Sequence, residues 1–111
     1  FQQADRREMR RHAFNIEDTF ELTGRGLVVV SNKRYEELPD WLAMKVGDEI
    51  EIRSEAKSIQ TTIKGIEMSD PWTPQMPFAF LLPENVSKDQ APLESEIWVT
   101  ESSVIKTMED K

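Results

Sequence analysis

The chain has no cysteine and a single histidine, His12, among its 111 residues. Without thiols there is no disulfide framework, thiolate metal site, redox pair or cysteine nucleophile. One imidazole excludes histidine-rich metal sites and leaves a single side chain of that kind for acid–base work. Positive charge is also short. Lys and Arg number 14 against 21 Asp and Glu, a net charge of −7, which argues against nonspecific adhesion to nucleic acid, where cations must neutralise phosphates. No apolar run approaches the roughly 20 residues of a membrane-spanning helix. Nothing at the start resembles a signal peptide, because no apolar stretch follows the first charges. A chain of this length is one domain with tails. Composition thus reads as a soluble, cytoplasmic, non-catalytic protein. The first residue is Phe1, which reads as processing or as a piece of a longer chain.

What is present is mostly strand signal. Residues 1–13 carry Arg6, Arg7, Arg10 and Arg11 against Asp5 and Glu8. They read as a basic arm or frayed helix, either a solvated tail or a contact for RNA or an acidic protein. Phe14, Ile16, Phe20 and Leu22 then share one parity, the period-2 pattern of a half-buried strand. Asp18 falls on the same parity, so the strand must bend there or Asp18 must serve a polar pocket. Thr23-Gly24-Arg25-Gly26 is a tight-turn signal, with Leu27–Val30 as a return strand buried on both faces. A connection over 31–47, interrupted by Pro39, is expected to make a short helical turn that lays Trp41 and Leu42 over the sheet.

Glu49–Arg53 alternates cleanly, and Ile59, Thr61 and Ile63 continue as a strand. The phase slips at Lys64-Gly65, which suggests a β-bulge. Residues 69–77 hold three prolines and read as irregular loop carrying Trp72 and Met76. Phe78–Leu82 and Glu96–Thr100 are further strands, with residues 103–107 extending or following the last. About six short strands with little helix predict an all-β fold, a small closed antiparallel barrel over 14–107 with a tail at 108–111.

Catalytic sets are thin. There is no Gly-rich phosphate loop, and Asn32-Lys33 lacks the aspartate two positions on that guanine recognition would need. His12 stands at no telling distance from any serine. The carboxylates at Glu17-Asp18, Glu36-Glu37, Asp48-Glu49-Glu51 and Glu94/Glu96 read as solvated strand faces rather than acid–base pairs. No catalytic residue, metal or cofactor is expected.

One stretch is specific. Residues 14–29, FNIEDTFELTGRGLVV, resemble the opening hairpin of the second, β-barrel domain of translational GTPases of the elongation factor Tu type. Lys45–Ile52 (KVGDEIEI) and Thr62–Met68 (TIKGIEM) are similar to later segments of that domain in the same order, and Phe80-Leu81-Leu82 to its following strand. The resemblance spans roughly residues 14–100 and leaves out the GTPase domain, so no GTP binding is expected. It implies a non-catalytic module that docks on a translation component: the 3′ end of tRNA, the ribosome or a factor. The matching ligand-binding residues are Glu17, Asp18, Phe20, Arg25 and Glu67, which could instead buttress the barrel. The chain departs from the family at Ser69, at Pro83-Glu84, and in the lengths of the 31–45 and 69–77 connections. Two alternatives stand beside it. One is an acidic protein-interaction domain, such as an immunity or antitoxin protein neutralising a basic toxin, with Trp41, Trp72 and Met76 as contact anchors. The other is an isolated barrel of a larger translation factor.

Overall fold

The computed structural model describes residues 10–55 and 57–105. Seven strands follow one another: β1 (Arg11–Leu22), β2 (Gly26–Arg34), β3 (Glu49–Arg53), β4 (Ser58–Thr62), β5 (Gly65–Glu67), β6 (Pro77–Leu82) and β7 (Glu96–Val99). Among the described residues helix is confined to three single 3₁₀ turns, at Tyr35–Glu37, Lys88–Gln90 and Glu101–Ser103. Most of the basic arm and the 108–111 tail lie outside the described residues, but Arg11–Ala13 belong to β1 rather than to an arm.

The all-β expectation is met, but the closed barrel is not. The strands form one antiparallel sheet in the order β4-β3-β7-β1-β2-β6-β5, with β4 and β5 as free edges. These edges are consecutive in the chain, separated only by Ile63 and Lys64. Three Cα–Cα steps span at most about 11 Å, so the sheet must curl until its edges approach, yet no ladder joins them. The expected bulge at Lys64-Gly65 is instead the point where the chain leaves one edge and starts the other. There Ile63 N–H donates to the Asp48 carbonyl and Lys64 N–H to that of Leu81.

β1 holds the sheet together because it pairs on both sides. Its first part pairs with β7 and its second part with β2. The register against β2 shifts between Ile16 and Asp18, so Glu17 is an extra residue, a bulge that turns the strand and reverses its parity. Phe14 and Ile16 are therefore buried, as the alternation requires, but beyond the bulge it is Thr19 that points inward. Phe20 is 50% exposed, contrary to the simple period-2 reading. The same bulge settles the conflict at Asp18, which turns out to solvent and accepts a hydrogen bond from the Thr19 N–H at 2.8 Å. Inside, Phe14, Ile16, Leu27, Val29, Ile50, Ile52, Phe80, Leu82, Ile97 and Val99 form the core. The Phe14 ring meets those of Phe78 and Phe80 at 5.6 and 6.0 Å between centroids.

The hairpin between β1 and β2 needs both of its glycines. Gly24 and Gly26 sit at φ +78° and +136°, and a Cβ on Gly26 would stand 2.0 Å from the Leu82 carbonyl oxygen. The 31–47 connection departs from expectation in its first part, since β2 runs on to Arg34 before the 3₁₀ turn. Leu42 is buried and Trp41 partly buried over the core, as the spacing suggested. Val104 makes an isolated bridge to Leu42 rather than lengthening β7. The buried Asp48 ties this end down by accepting from Ser103 Oγ at 2.6 Å and from the Lys45 N–H at 3.0 Å.

On the outer face, a polar network covers β3 and β7. Glu51 is bound by Arg10 at 2.6 Å and Arg53 at 3.0 Å, and Arg53 lies over the Trp98 ring at 3.9 Å. Burial pushes the Glu51 carboxyl up, but hydrogen bonds from Arg53, Arg10 and Ser58 outweigh it and hold the group below its ordinary value. A depressed folded-state pKa contributes stability that is present above the unfolded-state value, about 4.3 for Glu. That contribution is lost as pH falls through the folded value. Glu51→Gln is expected to cost about 2 kcal/mol at neutral pH and to flatten the fall of stability below about pH 4.5, read by urea unfolding across a pH series. Gly26→Ala is expected to cost at least about 3 kcal/mol, because the collision is with backbone, measured by the same titration.

Candidate binding cleft

The reversal of parity in β1 gives the outer face of the second half-sheet an apolar character. Phe20 stands opposite Val28, and in the neighbouring row Val30 stands opposite Ala79 and Ala79 opposite Glu67, so these side chains share one outer patch across β1, β2, β6 and β5. The proline-rich segment between β5 and β6 crosses above this patch. Its irregular backbone is pinned where the Tyr35 N–H donates to the Met76 carbonyl at 2.9 Å and the Glu36 N–H to that of Pro74 at 3.0 Å. The result is a cleft of about 380 Å³ with Val28, Val30 and Ala79 as floor and Phe20, Met68, Trp72 and Met76 among its walls.

Tyr35 braces the lid. Its ring meets Trp72 edge-on, 5.1 Å between centroids and 81° between planes, and Phe78 at 5.1 Å on the other side. Its hydroxyl donates to the Glu67 carbonyl at 3.0 Å. Burial, with the Glu67 charge adding to it, pushes the Tyr35 hydroxyl above the ordinary tyrosine value against opposing hydrogen bonds from Trp72 and the Ala79 backbone. It therefore keeps its proton at neutral pH and acts as a hydrogen-bond donor. At the rim, the Arg25 guanidinium lies 3.6 Å from the Glu67 carboxylate, with the Arg25 side chain 59% exposed. A pair this open contributes little to stability, so either partner can turn to a ligand at small cost.

The structure brings together five of the eight residues singled out from sequence. Phe20, Glu67, Trp72 and Met76 line this cleft, and Arg25 reaches its edge through Glu67. Asp18 lies on the same outer face, opposite Val30, but does not line the cleft. Glu17 lines a separate shallow groove with Asn32, Arg34 and Gln75. Trp41 is elsewhere, with the Arg11 guanidinium 4.3 Å above its ring. Tyr35, Met68, Val28 and Val30 escaped the sequence reading. Of these, Val28 and Val30 could have been found only by allowing for the bulge at Glu17. A larger cleft of about 500 Å³ between Ser54, Glu55 and Lys57 on one side and Asp89 and Pro92 to Ser95 on the other has no aromatic wall and none of the candidate residues.

Phe20, Met68 and Trp72 are 50%, 60% and 41% exposed, and they account for three of the six large exposed hydrophobics among the described residues. These three side chains lie around one depression rather than scattered over the surface. Among the described residues, no group of three or more His, Asp or Glu could hold a metal ion. No helix among them is long and apolar enough to cross a membrane. No family model matches the chain, and no curated protein is matched by its sequence.

Two substitutions separate a cleft wall from a core residue. Phe20→Ala is expected to change unfolding free energy by about 1 kcal/mol or less, whereas Phe14→Ala costs about 3–5 kcal/mol. Glu67→Gln is expected to stay within about 1 kcal/mol of the parent. Denaturant unfolding of the three variants checks all of this, and a Glu67→Gln loss as large as that of Phe14→Ala would make Glu67 a buttress.

Proposed function

We propose that the chain is a non-catalytic binding module that docks on a component of translation, with the 3′ end of tRNA as the ligand of the cleft. The observation that carries this reading is convergence. Phe20, Arg25 and Glu67, three of the five residues matched to the elongation factor Tu barrel, meet at one cleft although they come from β1, the first hairpin and β5. Their chemistry suits an unpaired terminal nucleotide. An aromatic ring gives a base a stacking surface, a carboxylate accepts from amino or hydroxyl groups, and a guanidinium answers a phosphate. The cleft supplies the apolar floor and lid for such a group, and a local pocket does not require the surface as a whole to be basic.

A second reading has its own support. The Phe20, Trp72, Met68 and Met76 walls are also those of a protein hot spot, with thioethers that adapt to a partner side chain. On an acidic surface this fits a domain that neutralises a basic protein, as an immunity or antitoxin protein would.

Titration of the purified chain with tRNA carrying the 3′-terminal CCA, with and without an attached amino acid, distinguishes the two, using as the signal the change in tryptophan fluorescence that is lost in Trp72→Phe. Binding that disappears when the terminal nucleotides are removed, and that Phe20→Ala weakens by roughly tenfold to a hundredfold, is the expected result. Equal binding to truncated tRNA, or indifference to Phe20→Ala, contradicts the proposal.

A further inference from the structure

The two free edges of the sheet differ in how they are protected. β5 is three residues long, contains Gly65 and Glu67, and runs into the proline-rich segment. An edge so short and interrupted is a poor template for another strand. β4 is five residues of Ser-Ile-Gln-Thr-Thr, with no charge, no proline and no bulge in its register against β3. Beyond that ladder, no backbone hydrogen bond joins Ser58–Thr62 to another described element. The outward row Ser58, Gln60 and Thr62 is exposed. In a chain of which 32% of residues are charged, this regular, uncharged edge lacks the devices that keep strands from pairing between molecules.

We propose that the β4 edge is a self-association surface, where a second copy of this chain adds its own β4 antiparallel about a twofold axis through Gln60. The segment is complementary to itself in that register. Ser58 faces Thr62 of the other copy and Gln60 faces Gln60 on the outer side, while Ile59 faces Thr61 on the inner side. Hydroxyl and amide pairs of this kind stabilise neighbouring strands, and a twofold axis makes the contact self-limiting. The surroundings also permit approach between two acidic chains. Glu51, the carboxylate of β3 next to Gln60, is already neutralised by Arg10 and Arg53, and Lys57 and Lys64 flank the strand. A five-residue edge is small beside a standard interface of about 1,600 Å², so the dimer is weak, with a dissociation constant of the order of 100 µM.

Sedimentation equilibrium of the full chain from about 10 µM to about 1 mM, at low and at moderate salt, tests this. Two copies each of charge −7 repel, so association at the uncharged edge is expected to strengthen with salt. Gln60→Glu sets like charges face to face and is expected to weaken association about tenfold or more. Its fold is preserved, because Gln60, with its amide oxygen turned to Arg10, already accepts from that guanidinium at 2.6 Å. A monomer across the whole range overturns the proposal. So does a dimer that weakens with salt or ignores Gln60→Glu.

Discussion

β1 has to satisfy two ladders on a curled sheet, and a single flat strand cannot do so. Two extra residues, Ala13 against β7 and Glu17 against β2, allow Arg11–Leu22 to pair with β7 at its start and with β2 at its end. A bulge bends the strand and increases its twist, which is how the half-sheets come to face one another across the core. It also exchanges the inner and outer faces of everything that follows in β1. Phe14 and Ile16 therefore serve the core, while Phe20, on the same nominal parity, serves the surface. The cleft exists because of this exchange. Without the exchange at Glu17, Phe20 would be one more core ring and the outer patch of Val28, Val30 and Ala79 would lack its wall.

The surface around that patch is built from weak restraints. The lid rests on two backbone hydrogen bonds and on ring contacts through Tyr35, and the rim ion pair of Arg25 and Glu67 is open to solvent. Strong, buried interactions lie elsewhere, in the Arg10–Glu51–Arg53 network and the Asp48–Ser103 contact, which fix the other half-sheet and the end of the chain. A rigid frame with a loosely held, apolar and aromatic depression is the division expected of a binding module. Edge protection follows a similar asymmetry, since β5 beside the cleft is blunted and β4 on the rigid side is not.

Much of the fold was legible in the sequence because it follows from local rules. The paired glycines at 24 and 26 marked the hairpin, the alternation of Glu49–Arg53 marked β3, and the apolar run at Phe78–Leu82 marked β6. The long-range features were not local. Nothing in Ile63-Lys64 states that the chain passes from one edge of the sheet to the other, which is why a bulge and a closed barrel were the natural reading. The outward turn of Phe20 was half visible, because Asp18 on a core parity already required a bend, but the residue at which the register slips is set by pairing with β2 rather than by β1 itself. Of the site, Trp72 and Met76 were recognisable as apolar residues in a segment too proline-rich to be buried strand. Tyr35 and Met68 gave no signal, since their place depends on how that segment folds back.

The exchange of faces at Glu17 is tested most directly by the contacts of one ring. Measurement of nuclear Overhauser effects from the Phe20 ring in the purified chain is expected to show proximity to the methyl groups of Val28 and Val30 and to Met76. Contacts from Phe20 to Val29 and Phe80 instead would place it in the core, restore the unbroken alternation of β1, and remove the cleft on which the functional proposal stands.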